Sequence, residues 1–403
     1  MDSAILNDPF LLAKKHLLEL TRGLPSGTVP ISVIQDLSSI YPNWPVWPDL
    51  ALSDLIGPPN VRLKEVDLRW LHRFRATIAL LGWLSAQLGG PKGGPSALSL
   101  VVERAPILGH RGWGAASAGG SCRILTSADG QIAANLPRVE DQSSVAAWLD
   151  APIEGNDWAS IERAVQQVTS SELLSRAKLL GMPISVVGET KVPLGFEYNI
   201  GKEIRLKQKP RVVDLSSMWA GPLCSWYLMR CGAEVTKIES TLRPEKPRNR
   251  PDIFYQRLNQ GKEIIPLDFS SSIDHELLRN IIRESDIIIE GSRPRALEHL
   301  GIDAKAEVER GAIWCSITGY GRRRNPHRVG FGDDAAAGAN LLAEVNGSLW
   351  FMGDAIADPI TGATAATLVL GHWLGCSSAL LDLGLSPTAA LYSQGLVSRA
   401  SSF

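Results

Sequence analysis

Four short runs in the second half of the chain are almost continuously apolar and rich in β-branched residues: Val212-Val213-Asp214-Leu215, Val235-Thr236-Lys237-Ile238-Glu239, Ile287-Ile288-Ile289-Glu290 and Ile313-Trp314-Cys315-Ser316-Ile317. Runs of that kind suit strands covered on both faces, and the helical spacing of 223–230 and 275–283 between them supplies the covers. The alternation predicts an α/β fold built on a parallel sheet. Glu239 and Glu290 close two of the runs, and Asp214 stands just before the end of another. Polar groups at the carboxyl ends of such strands line the ligand crevice of an open α/β sheet, although any one of them alone reads first as a hydrophilic strand end.

The first half is less regular. Residues 11–20 and 71–88 have helical spacing, and the Pro/Trp stretch 41–48 between them cannot continue a helix. Residues 89–95, Gly-Gly-Pro-Lys-Gly-Gly-Pro, read as a turn or linker. A compact unit begins at Ser121. Strand 122–126, an Asp129-Gly130 turn and strand 131–136 form a hairpin cue. Helices 158–168 and 171–180 follow, the second capped by Ser170 or Ser171. Residues 202–211, with five basic side chains, read as an exposed linker.

Composition removes whole classes. At 403 residues the chain is too long for one simple core. Its 41 basic and 42 acidic residues leave a net charge of −1, which steers it to neither nucleic acid nor an anionic membrane. Five scattered cysteines without a C-x-x-C pair argue for free thiols in a reducing compartment, hence the cytoplasm. The opening Met-Asp-Ser-Ala is acidic where an export signal is basic, and stretches 76–88 and 362–374 fall short of the ~20 residues a membrane span needs. The seven histidines show no metal-ligand spacing, and no phosphate-loop, dinucleotide or nucleophile-elbow motif occurs.

The most informative stretch is 211–239, RVVDLSSMWAGPLCSWYLMRCGAEVTKIE. It reads as strand, turn, helix, strand. Pro222 and Gly221 at the helix start leave backbone N–H groups exposed at a positive helix end, which cradles an anion. In these residues the chain resembles the opening motif of the family III CoA-transferases, the CaiB/BaiF type. Three further stretches resemble that family's motifs in its own order. They are Leu258-Asn259-Gln260-Gly261-Lys262 with Leu267-Asp268, then Ser285-Asp286 to Glu290 followed by Arg293-Pro294-x-Ala296-Leu297-x-x-Leu300-Gly301, and finally Cys315-Ser316-Ile317-Thr318-Gly319-Tyr320-Gly321. The resemblance runs from about 211 to 383.

It implies a Rossmann-like CoA-binding domain over 205–403, preceded by a small α+β domain over 111–200 and a mainly helical region over 1–110. It further implies a coenzyme A thioester as substrate, no permanently bound cofactor, and an acyl-CoA and a carboxylic acid as reaction partners. The family's nucleophilic carboxylate matches Asp358, in Ala357-Asp358-Pro359-Ile360-Thr361-Gly362. From the residues alone Asp358 is a helix N-cap with Pro359 at the first helical position, where the helix dipole favours the ionised carboxylate a nucleophile requires. Asp354 is the alternative. CoA is expected against the backbone of Met218, Trp219 and Ala220, with Lys262 and Arg293 supplying charge; Trp219 reads equally well as a core aromatic.

The sequence also departs from the family. Ser240 stands where relatives carry an arginine, leaving Arg243 nearest; Gly291-Ser292 replaces an Asn-Phe pair; and Asp333-Asp334 lacks the histidine of 2-methylacyl-CoA racemases. CoA transfer therefore leads, with racemisation or a non-catalytic acyl-CoA-binding subunit as alternatives. The stretches resembling the family's small domain, 128–133 and 180–184, precede rather than follow the CoA-binding half, as in a permuted or tandem-derived chain. Family members resemble interlocked homodimers, which implies a homodimer or a heterodimer with a related chain. Residues 76–88, 109–120 and the helix after Asp358 are the surfaces available for it.

Overall fold

The computed structural model describes residues 8–39, 50–57, 66–191, 200–204, 208–245 and 252–396. The Pro/Trp stretch 41–48 lies outside them. A small antiparallel sheet comes first in the chain, of β1 (Cys122–Thr126), β2 (Gln131–Asn135) and β3 (Ile184–Val186). Thr126 faces Gln131 across the Asp129-Gly130 turn. Helices Trp158–Val165 and Ser170–Leu180 cover this sheet, with Trp148, Ile161 and Leu173 at their common core. The cap of the second helix is Thr169 rather than Ser170 or Ser171, because the Thr169 hydroxyl reaches the Glu172 N–H at 3.3 Å.

The large sheet holds β4 (Ile200–Glu203), β5 (Arg211–Leu215), β6 (Glu234–Ser240), β7 (Glu263–Leu267), β8 (Ile287–Glu290), β9 (Ile313–Thr318) and, after the hairpin β10 (Leu342–Val345) and β11 (Ser348–Phe351), β12 (Ser377–Gly384). Its spatial order is β4-β12-β9-β8-β5-β6-β7, parallel throughout except for β4, which runs antiparallel along β12. β4 takes up the start of the basic stretch expected to be a linker. It does so by pairing with the sheet edge, where one face stays open to water and charged side chains are tolerated.

The parallel strands β5, β6, β7, β8, β9 and β12 take the doubly wound order 3-2-1-4-5-6. Strand order therefore reverses between β5 and β8, with Leu215 opposite Glu290 at the carboxyl ends. A crevice must open there, because the connections leave to opposite faces.

One side of the sheet is covered by three helices in layers. Helix Ala220–Arg230 lies on the strands, and helix Ala357–Leu374 lies between it and helix Arg69–Gln87. Helix Ala357–Leu374 is buried almost all round, as its unbroken apolar and small-residue sequence requires. Leu17, Leu20, Trp70, Phe74 and Leu84 from the N-terminal helices join Leu223, Leu368 and Leu381 in one continuous core. The N-terminal helices are thus a layer of the large domain. Two of the segments expected to offer a chain–chain interface, 76–88 and the helix after Asp358, are packed here against each other within the chain.

Candidate active site

The turn leaving β5 carries Ser216, Ser217, Met218 and Trp219 into helix Ala220–Arg230, and two buried lysines brace it. Lys237 Nζ, with no side-chain exposure, donates to Ser216 O at 2.7 Å and pairs with Glu245 at 2.9 Å. Lys262 Nζ pairs with Asp214 at 3.0 Å and donates to Ser225 Oγ and Asn259 Oδ1, both at 2.8 Å, and to Pro222 O at 3.1 Å. Burial alone would raise the Asp214 carboxyl, but Lys262 and Lys237 hold it well below the usual carboxylate range. Lys262 therefore supplies no charge to a ligand. Its ammonium is enclosed beneath the turn, and the expectation that it faces CoA is corrected. Met218 is half-exposed with φ +70°, held there by its N–H donating to Glu245. The Trp219 indole is buried, edge-on to Phe254 at 5.1 Å, and Trp219 is not among the residues that line the crevice, unlike Met218 and Ala220 on either side of it.

Above the switch point lies a cavity of about 440 Å³, walled by the turn, by Gly291–Arg293, by Thr318–Gly319 and by loop 328–331, with Asp358 among its lining residues. Four arginines reach it. Arg138 is paired with Asp141, and Arg328 with Glu189. Arg243 and Arg293 have no acidic partner among the described residues, which leaves their charge available to a ligand. A second cavity of about 420 Å³ shares Ser216, Ser217, Arg243 and Ser292 with the first and is more apolar, with Ile238, Phe269, Leu278, Leu297 and Leu300 in its wall. The two form one crevice across the strand ends.

Helix Ala357–Leu374 brings Asp358 to this crevice, but not as its cap. Ile356 holds the cap position in a helical conformation, and Asp358 lies within the first turn. Its half-buried carboxyl accepts from the Ala220 backbone N–H, so the first turns of two helices meet at one carboxylate. The expectation of a readily ionised group is modified. Burial pushes the carboxyl up to about 7; Asp333 and Asp354 add to this, while Arg104 and the Ala220 N–H oppose it. Asp354, the alternative nucleophile, is fully buried and ion-paired with Arg104 and His110, which bring its carboxyl down to about 2 against the effect of burial. It does not line the cavity.

Two close approaches fix Asp358. A Cβ at Gly332 would stand 2.1 Å from Asp358 Oδ2, and a Cβ at Gly362 would stand 2.6 Å from Ala220 O. The sequence motifs lead to Asp358, Met218, Ala220 and Arg293. They do not lead to Arg104, His110 or Gly332, which meet the site only through the fold. Among the described residues no cluster of three or more His, Cys, Asp or Glu is arranged to hold a metal, and no helix is long and apolar enough to cross a membrane.

Residues 208–375 match the family model CoA-transferase family III. An acyl-CoA transferase of Fusarium pseudograminearum is 27% identical over 217 residues, covering 46% of this chain and 47% of the relative. The formyl-CoA:oxalate CoA-transferase of Escherichia coli is 31% identical over 119 residues, covering 27% and 29%. The chain thus spans about half the length, or less, of these curated relatives. Among solved structures, a CaiB/BaiF family protein from Brucella suis aligns over 48% of this chain and 56% of its own at 23% identity and a TM-score of 0.42. The Rv3272 protein of M. tuberculosis aligns over 47% and 56% at 24% identity and the same TM-score. Residues 208–375, the stretch that matches CoA-transferase family III, carry the switch-point turn, Arg293 and Asp358.

Proposed function

We propose that the chain moves CoA between an acyl-CoA and a carboxylic acid, with Asp358 as nucleophile. The observation that carries this reading is the Asp358 carboxyl itself, held by a helix N–H in a crevice that also presents Arg243 and Arg293, cations without an acidic partner among the described residues. The Asp358 carboxylate attacks the thioester carbonyl and the C–S bond breaks, giving an acyl-aspartyl anhydride and CoA thiolate. The thiolate attacks the aspartyl carbonyl, releasing the donor acid and leaving an aspartyl-CoA thioester. The acceptor carboxylate repeats the two steps in reverse, so thioester energy is conserved and no proton is consumed. CoA lies along backbone 218–220, with Arg243 and Arg293 facing its phosphates in place of Lys262. The free state of Cys122, Cys224, Cys231, Cys315 and Cys376 supports a reducing, cytoplasmic setting, and a dimer is the assembly we assign.

The test is incubation with a panel of acyl-CoAs and acids, followed by hydroxylamine trapping and peptide mass analysis. A hydroxamate at Asp358 with CoA exchange is expected; neither appearing with any pair rejects the reading. Deuterium uptake at the α-carbon in heavy water without exchange would identify a racemase, and acyl-CoA binding without turnover a subunit. Active protein of monomer mass in light scattering removes the dimer.

Two variants probe the site further. Gly332→Ala places a methyl against Asp358 Oδ2 and is expected to lower kcat by about 10²-fold through misplacement of the nucleophile, with the circular dichroism spectrum unchanged. Arg243→Ala with Arg293→Ala removes two exposed cations. The KM for acyl-CoA is expected to rise about tenfold and to lose much of its salt dependence, while kcat changes little. An unchanged KM would place the phosphates elsewhere.

A further inference from the structure

Arg104 belongs to the N-terminal helical layer, outside the residues matched by the family model. Its guanidinium grips Asp354 through Nε at 2.8 Å and Nη2 at 2.5 Å, and stacks over the Trp219 indole at 4.8 Å. His110 Nδ1 lies 3.2 Å from the same carboxylate, whose side chain is wholly enclosed. Asp354 stands four residues before Asp358, and the intervening Ala355 N–H donates to Asp333 at 2.9 Å. Three carboxyls therefore crowd one turn. Arg104 is the cation that acts on all of them.

We propose that Arg104 is a positioning residue for the reaction: by neutralising Asp354 it keeps a buried like charge from facing Asp358, so that Asp358 loses its proton and attacks near neutral pH. This rests on the aspartyl reading given above. The charged groups around Asp358 come from every neighbouring element. The N-terminal layer brings Arg104, the start of helix Gly332–Gly338 brings Asp333, and the turn before its own helix brings Asp354; helix Ala220–Arg230 presents the Ala220 N–H. Across the cavity stand Arg138, Arg243, Arg293 and Arg328. Asp358 is already raised by burial, and removing Arg104 both withdraws its direct attraction for the Asp358 carboxylate and leaves the Asp354 charge uncompensated beside it, which holds the proton on Asp358.

The experiment follows the Asp358 carboxyl directly, by carbon-13 NMR of aspartate-labelled protein, with Asp358→Asn identifying the signal. In Arg104→Met the titration midpoint of Asp358 is expected to rise by about one unit or more, and the pH profile of kcat/KM for CoA exchange to move with it. Arg104→Lys keeps the midpoint near its original value. Arg104→Met combined with Asp354→Asn brings it only part of the way back, because the charge that Arg104 neutralised is gone but so is its own attraction for the Asp358 carboxylate. An unmoved midpoint in folded Arg104→Met overturns the proposal. Should Arg104→Met not fold, a midpoint in Arg104→Lys well above that of the unaltered chain overturns it as well. Absence of exchange in the unaltered chain, with the midpoint shifting as described, rejects the aspartyl reading and leaves the electrostatic role of Arg104 standing.

Discussion

On the proposed reading, Asp358→Asn should abolish CoA exchange, with a loss on the order of 10⁴-fold or more, because a covalent nucleophile is removed and no other group can form the intermediate. An amide cannot carry the anhydride and thioester forms, and Asp354 is locked in its ion pairs away from the cavity. Acyl-CoA binding should persist within about threefold, since the cations and the turn are untouched. Isotope exchange between labelled free acid and acyl-CoA reads the loss; residual exchange within a hundredfold of the unaltered chain excludes Asp358. The same variant should be more stable at pH 8. The carboxyl is raised from 3.8 to about 7 in the folded chain. Its favourable contribution is therefore complete below about pH 4 and disappears as pH rises through about 7. Above that, Asp358→Asn gains on the order of 1 kcal/mol, and below pH 4 it gains nothing.

Lys262→Met should cost about 3–5 kcal/mol, the largest stability effect expected of a single substitution near the site. Methionine fills the space but leaves Asp214 charged, fully buried and without its cation partner at 3.0 Å. Urea denaturation at pH 7 measures it. Adding Asp214→Asn should recover much of the loss, because the stranded charge is then gone. If Lys262→Met unfolds within about 0.5 kcal/mol of the unaltered chain while raising the KM for acyl-CoA, Lys262 faces the ligand after all and the enclosed geometry is wrong.

The central strands were legible because β5, β6, β8 and β9 are buried on both faces and so read as unbroken apolar runs. The others were hidden by their positions. β7 lies at the sheet edge, where Glu263 and Pro266 are tolerated and blur the pattern. β4 occupies the other edge inside a basic stretch. The β10–β11 hairpin carries a local signal in Asn346-Gly347, both with positive φ as a tight hairpin turn demands. In the site, the motifs led to Asp358 through resemblance. Its helix starts two residues earlier than the Asp-Pro cue implies, with Ile356 at the cap and Ala357 already in the first turn. Lys262 shows the limit of motif reading: a lysine in sequence does not disclose whether it faces solvent or a buried aspartate. Arg104 and Asp354 are 250 residues apart, and no local pattern signals a contact made only by the layering of helices.

The contact at Gly362 governs how the chain can move during turnover. With no side chain at 362, the backbones of helices Ala220–Arg230 and Ala357–Leu374 touch, and Ala220 O and the Leu223 side chain occupy the space a Cβ would need. Two helices seated so closely cannot slide or roll past one another. The Asp358 carboxyl and the Ala220 amide that holds it are therefore carried on a single stiff part. On the proposed reading, adjustment between the free-acid, anhydride and thioester forms would fall to the opposite wall, where loop 328–331 borders the cavity. Amide exchange should accordingly be slowest along the two helices and fastest in that loop, and acyl groups of different size should alter the loop's exchange alone.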